Sequence, residues 1–214
     1  MTKSRALALL SLTELLGMSV WFSASAVVPA LATAWGLSGG AQSWLTMSVQ
    51  LGFVAGALGS AVLNLADRIP GRWLFAISSV LAGGATLLIP AAGAGLSVVL
   101  VLRFLTGVFL AGVYPVGMEI MGTWTREDRG FGVGLLVGAL TLGSAAPHLL
   151  KAVGEPGDWR TVLIMSGALA IIGGFSFGDH IASGRVLANR LKHRLEAPLQ
   201  QFIAEGKLII GICN

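Results

Sequence analysis

Long apolar runs separated by short polar gaps occupy the chain from Leu7 to about Gly174, and a different pattern follows. A helix needs about 20 largely apolar residues to cross the hydrocarbon core of a bilayer. Runs at 6–30, 43–65, 73–92, 96–121 and 131–150 meet that requirement. A sixth run, 161–175, falls roughly five residues short of it. The gaps are short, which favours antiparallel neighbours in a bundle. The first run is too long for a cleavable signal core and contains Glu14, so it reads as a retained first helix. Pro115 inside the fourth run predicts a kink or break there. Beyond 174, Leu187, Leu191 and Leu195 recur every four residues, as in an amphipathic helix. Pro198 opens a second helix with Leu199, Phe202 and Ile203 on one face. The stretch 208–212 reads as a short buried strand with Cys213 just after it, an α/β pattern.

Charge sharpens this picture, because the charged gaps alternate. Lys3 and Arg5 precede the first run, Asp67, Arg68 and Arg72 follow the second, and Arg126, Glu127, Asp128 and Arg129 follow the fourth. The gaps 31–42 and 93–95 carry no charge. The Lys/Arg bias predicts a multi-pass protein of the cell (inner) membrane with a cytoplasmic N-terminus. Lys151 and Arg160, offset by Glu155 and Asp158, are a mild exception. Only 11% of residues are charged against 55% hydrophobic, too few charges to cover a water-soluble surface, so the lipid bilayer is the expected solvent. The net charge of +4 is spread over short loops rather than gathered on one face, which argues against nucleic acid as a partner. A single cysteine excludes an internal disulfide and a cysteine-based metal site. No phosphate-binding glycine loop supports ATP-driven transport, and no cofactor or metal is implied.

Small residues recur within the runs. Gly52, Gly56 and Ser60 form a row on the second, and Gly134 and Gly138 a pair on the fifth; such rows let helix backbones approach closely in lipid. Three stretches then carry a resemblance. In 65–72, Asp67 and Arg68 followed by Arg72 resemble the cytoplasmic signature of major facilitator superfamily transporters. In that pattern Leu63, Pro70 and Gly71 stand where the family has Gly, Gly and a basic residue. Arg103 with Gly107, Ala111 and Gly112 resembles the family's fourth helix, and 112–117 with 123–130 resembles its end and following loop. Gly134, Gly143 and Pro147 echo an antiporter glycine signature. The resemblance covers residues 6–174. It implies an all-α polytopic membrane protein, the N-terminal six-helix half of a major facilitator fold with an incomplete sixth helix, plus a short α/β-like tail. It implies transport of a small-molecule solute by alternating access, coupled to protons, with a C-terminal half or second chain as partner, and no enzyme activity.

Glu14 and Arg103 each lie about eight residues inside a run, roughly 12 Å deep at 1.5 Å per residue, hence near mid-membrane. Ionisable groups at that depth face a bundle interior or a watery cavity. Within the family the first and fourth helices line the central cavity. That makes Glu14 a candidate proton-coupling or substrate-facing carboxylate and Arg103 a cation facing an anionic solute; a mutual ion pair is the alternative. Asp67 can accept hydrogen bonds from a helix N-terminus, and Glu119 can pair with Arg68 or Arg72. These four are either topology-fixing loop charges or, as the family implies, a cytoplasmic gating motif. His148 reads as interfacial or as a proton relay.

The segment from 173 to 214 carries a second resemblance. Gly173 to Asp179 and Gly211 to Asn214 resemble two stretches of the glutaminase of phosphoribosylformylglycinamidine synthase, a purine-biosynthesis enzyme. It implies a correspondence between Cys213 and that family's nucleophile. The His and Glu that activate the thiol do not follow in this sequence, so no catalytic residue is assigned. The expected organisation is therefore a transmembrane half-transporter at 1–174 and a glutaminase-like tail at 175–214. A chimeric or non-transporting membrane fragment is the alternative.

Overall fold

A computed structural model describes residues 2–92, 95–153 and 158–180. Thr2–Gly178 form one unit, which holds every helix below up to the last two residues of α8. The amphipathic helices and strand expected after 181, and Cys213, lie outside the described residues.

The chain opens with α1 (Lys3–Trp35), whose 33 residues make a rod of about 50 Å. That exceeds the hydrocarbon core, and the helix extends three residues before its apolar run and five beyond it. It stops where Gly36 takes a left-handed backbone (φ 61°) and returns its N–H to the carbonyl of Ala32. Ser38 then caps α2 (Gly39–Leu63), accepting from the N–H of Ala41 at 3.3 Å. The expected gap at 31–42 thus shrinks to three residues, because loss of apolarity marks the membrane edge and not the end of the helix. A single turn, α3 (Leu65–Arg68), leads through Pro70 into α4 (Gly71–Leu88), which a 3₁₀ turn at Ile89–Ala92 extends.

The fourth run is broken where Pro115 predicts. α5 (Leu96–Leu110) ends in a turn at 111–113, and α6 (Tyr114–Trp124) restarts with Pro115 in its first turn, where a missing N–H costs nothing. α7 (Arg129–Val153) and α8 (Trp159–His180) complete the described chain. Among the described residues, five segments are long and apolar enough to cross a membrane: α1, α2, α4 with its 3₁₀ turn, the α5–α6 pair, and α7. α8 runs 22 residues, to His180, and so continues past the end expected for the sixth run at 175. Among the described residues the regular structure is entirely helical.

Glycines set which helices pair. Gly52 and Gly56 of α2 lie directly on the backbone of Phe104 and Val108, and Gly107 of α5 returns the contact on Val49, so no side chain fits between these two helices. Gly83 of α4 and Gly167 of α8 face each other, a Cβ on either meeting the other's carbonyl oxygen at 2.6 and 2.8 Å. Gly143 of α7 lies against the carbonyl of Leu15, seating α7 on α1. The expected pair on the fifth run behaves differently: a Cβ on Gly134 or Gly138 would meet nothing within 4 Å. Away from these seams the helices present apolar side chains outward, among them Trp44, Leu51, Val54 and Leu58 on α2. That is how a helix with fully paired backbone meets lipid.

Candidate functional site

Glu14 sits on α1 with no exposed surface, and neither carboxylate oxygen has a hydrogen-bond partner. It faces a crevice closed by α4 and α6. Its Oε2 lies against the backbone of Gly117, and the ring of Phe75 borders the same position. The crevice continues one turn along α1, where Gly17 meets Val113 and the hydroxyl of Ser79. That hydroxyl is also buried without a partner, as is Ser166 Oγ on α8. In an apolar interior each such orphaned polar group costs free energy, and an unpaired charge costs far more.

Arg103 is the opposite case. It is 1% exposed, and its guanidinium is held almost entirely by backbone. Nη1 donates to the carbonyl of Val20 at 3.0 Å and to Ser23 Oγ at 3.4 Å, Nη2 to the carbonyl of Trp21 at 2.9 Å, and Nε to the carbonyl of Leu45 at 3.4 Å. One side chain from α5 therefore ties α1 to α2. The mutual ion pair is not formed: Arg103 binds α1 at residues 20–23, roughly 9–13 Å along the helix from Glu14 at 1.5 Å per residue. Its positive charge is solvated by dipoles but faces no anion among the described residues.

The loop charges gather at the end of the bundle where α1 begins. Asp67 and Arg68 are exposed on α3. Asp67 caps nothing: the residue before α4 is Pro70, and no side chain accepts from that helix's first turn. Arg72 rests over the ring of Trp73, 5.9 Å from its centre, with a buried and unpartnered Nε. Glu119 pairs with neither Arg68 nor Arg72; it borders a cleft of about 370 Å³ with Arg126 and Arg129. The structure thus brings Glu119 to the arginines of the following loop rather than to the 67–72 stretch. Gly71 faces Val116 and Ile120 of α6, where a Cβ would meet both at 3.4 Å, so that stretch lies beside the half-helix bearing Gly117. His148 is exposed near the end of α7.

Two features escaped the sequence reading. Lys3 Nζ donates to Asp128 Oδ1 at 2.6 Å, linking the start of α1 to the turn before α7. Both had read only as topology-setting charges, and nothing in their spacing joins residues 125 positions apart. Asp158 accepts from the N–H of Thr161 at 3.1 Å at the start of α8. The Thr161 hydroxyl, and after it this N–H, hold the carboxyl below the usual carboxylate range.

Comparison with known proteins places this geometry. The sequence profile of the Major Facilitator Superfamily matches residues 9–213. The 4-hydroxybenzoate transporter PcaK of Pseudomonas putida is 30% identical over 148 residues, covering 68% of this chain and 32% of the transporter. Its counterpart in Pseudomonas aeruginosa is 29% identical over 156 residues, with the same coverage of both chains. The phosphoribosylformylglycinamidine synthase subunit PurQ of Methanococcus maripaludis is 55% identical over 42 residues, 20% of this chain and 16% of that subunit. This is the length of the 173–214 segment. The chain thus spans about a third of the length of the transporters and about a sixth of the synthase subunit. No solved structure matches.

Proposed function

The chain belongs to the Major Facilitator Superfamily, and from that premise we propose that it is the N-terminal, cavity-forming part of a proton-coupled secondary transporter for a small organic anion. The observation that carries this reading is Glu14: a carboxyl buried among apolar groups with neither oxygen paired. Such a group is tolerable when it holds a proton and intolerable when it does not. A carboxyl that must take up a proton to be buried and release it to be solvated links a helix rearrangement to proton movement. Arg103 supplies a fixed positive charge about mid-membrane. Its donors are occupied by carbonyls here, so it draws an anion through its field, which acts over longer range in a low dielectric.

The transporters named above carry 4-hydroxybenzoate in their names, and an aromatic carboxylate is the first substrate to test. Asp67, Arg68, Arg72 and Glu119 are assigned to cytoplasmic gating, with the N-terminus on the cytoplasmic side of the cell membrane. Alternating access rocks two halves about a midplane site. We assign this chain to one half, and the other half to further sequence or a partner chain. The likeness to PurQ favours a second reading, in which a half-transporter at 1–174 is joined to an inactive glutaminase-like segment. The genomic reading frame past 174 separates the two.

The test of the first reading is uptake of labelled 4-hydroxybenzoate into proteoliposomes under an imposed pH gradient, with and without Glu14→Gln. Gradient-driven uptake should vanish in the variant. Uptake that persists unchanged ends the proton-coupling assignment.

A further inference from the structure

Gly117 occupies the fourth position of α6, where its N–H bonds to the carbonyl of Val113 at 2.8 Å in ordinary helical fashion. Nothing in the backbone calls for glycine there, and alanine is the better helix former. What the position does require is space. A Cβ at 117 would stand 2.5 Å from Glu14 Oε2 and 3.4 Å from Glu14 Cδ, with Phe75 Cε2 at 3.5 Å. The first distance is closer than atoms pack, and the last closes the other side. Gly122, further along the same half-helix, has open space around it. The room at 117 is therefore specific to the carboxyl.

We infer that Gly117 is a positioning residue for Glu14: its missing side chain is the recess that holds the carboxyl between α1, α4 and α6. This rests on the reading of Glu14 as the proton-carrying group. The atom a Cβ would strike is the end of a flexible side chain, so a methyl group at 117 moves the carboxyl rather than the helices. Glu14 has no exposed surface through which to withdraw, so the moved group enters a different environment. The recess and the acid are matched in length. Shortening the acid by one methylene draws it back by about one carbon–carbon bond and removes the conflict.

The experiment is infrared spectroscopy of the full chain in lipid nanodiscs, reading the carboxylic-acid carbonyl band that Glu14→Gln removes. Gly117→Ala should shift that band, and Gly122→Ala should leave it in place. In the Glu14→Asp background the same Gly117→Ala change should cause no shift. A band that Gly117→Ala leaves unmoved overturns the inference while the reading of Glu14 stands. Absence of any band removed by Glu14→Gln overturns both, because no protonated carboxyl is then present at 14. Should Gly117→Ala fail to fold, adding Glu14→Ala is expected to restore folding. Failure of that double variant to fold overturns the inference. In reconstituted uptake, Gly117→Ala is expected to lose at least tenfold in gradient-driven rate, with recovery on adding Glu14→Asp.

Discussion

Arg103 and Glu14 are both ionisable, both nearly inaccessible and both placed deep in apolar segments, yet their surroundings have nothing in common. The guanidinium is met by three backbone carbonyls and a hydroxyl; the carboxyl meets a glycine, an aromatic ring and no donor. A charge solvated by fixed dipoles is a fastener, stable only in the arrangement that supplies them. A polar group with no partner has no such preference and is free to change state when its neighbours move. Burial alone does not separate structural from working residues; the inventory of partners does.

The largest test of this contrast is Arg103→Leu. It removes the hydrogen bonds by which α5 ties α1 to α2 and is expected to cost about 1–3 kcal/mol, read as loss of the folded fraction in thermal unfolding in detergent. Glu14→Met should move stability the other way, a gain of about 1 kcal/mol, because an unpaired polar group gives way to an apolar one of similar length. If both substitutions destabilise equally, the contrast fails. Ser79→Ala and Ser166→Ala extend it to neutral groups. Each removes an orphaned hydroxyl and is expected to be neutral or stabilising by less than about 1 kcal/mol. Thr86→Val, which breaks the buried contact between the Thr86 and Thr106 hydroxyls, should cost about 1 kcal/mol. Lys3→Ala removes an ion pair half open to water and should change stability by less than about 1 kcal/mol, less still in high salt.

The smallest effect is on pH. The Asp158 carboxyl is lowered in the fold, so the hydrogen bond it forms contributes fully above the unfolded-state value and is lost as pH falls through the folded one. Amide exchange at Thr161 should accelerate over that acidic window, and Asp158→Asn should remove the acceleration.

Much of the fold was legible because lipid imposes one rule on composition: a crossing helix must be apolar for its whole length. The five membrane-length segments among the described residues and the break at Pro115 follow from it, whereas α8 runs on past the end expected for the sixth run. The same rule hides the rest. When every face of a helix is apolar, periodicity no longer tells which face turns inward. Arg103 and Glu14 could thus be placed by depth but not by partner, and the alternative of an ion pair between them fails because Arg103 reaches α1 two turns or so beyond Glu14. The glycine row on α2 was visible as spacing; that Gly107 completes it from α5, while Gly134 and Gly138 complete nothing, depends on helix orientation. Lys3 and Asp128 meet only because the bundle brings together chain segments far apart in sequence.

The break at 111–113 turns α6 into a short stiff rod no longer bonded continuously to α5. Gly71 bears on it at Val116 and Ile120, and the Glu14 carboxyl bears on it at Gly117, one residue from the first of these. A rigid rod shares any tilt among all its bearings. Val116, Ile120 and Gly117 fall within about 100° of one another around that rod, so a push delivered to the loop ahead of α4 is expected to reach the carboxyl along one side of it.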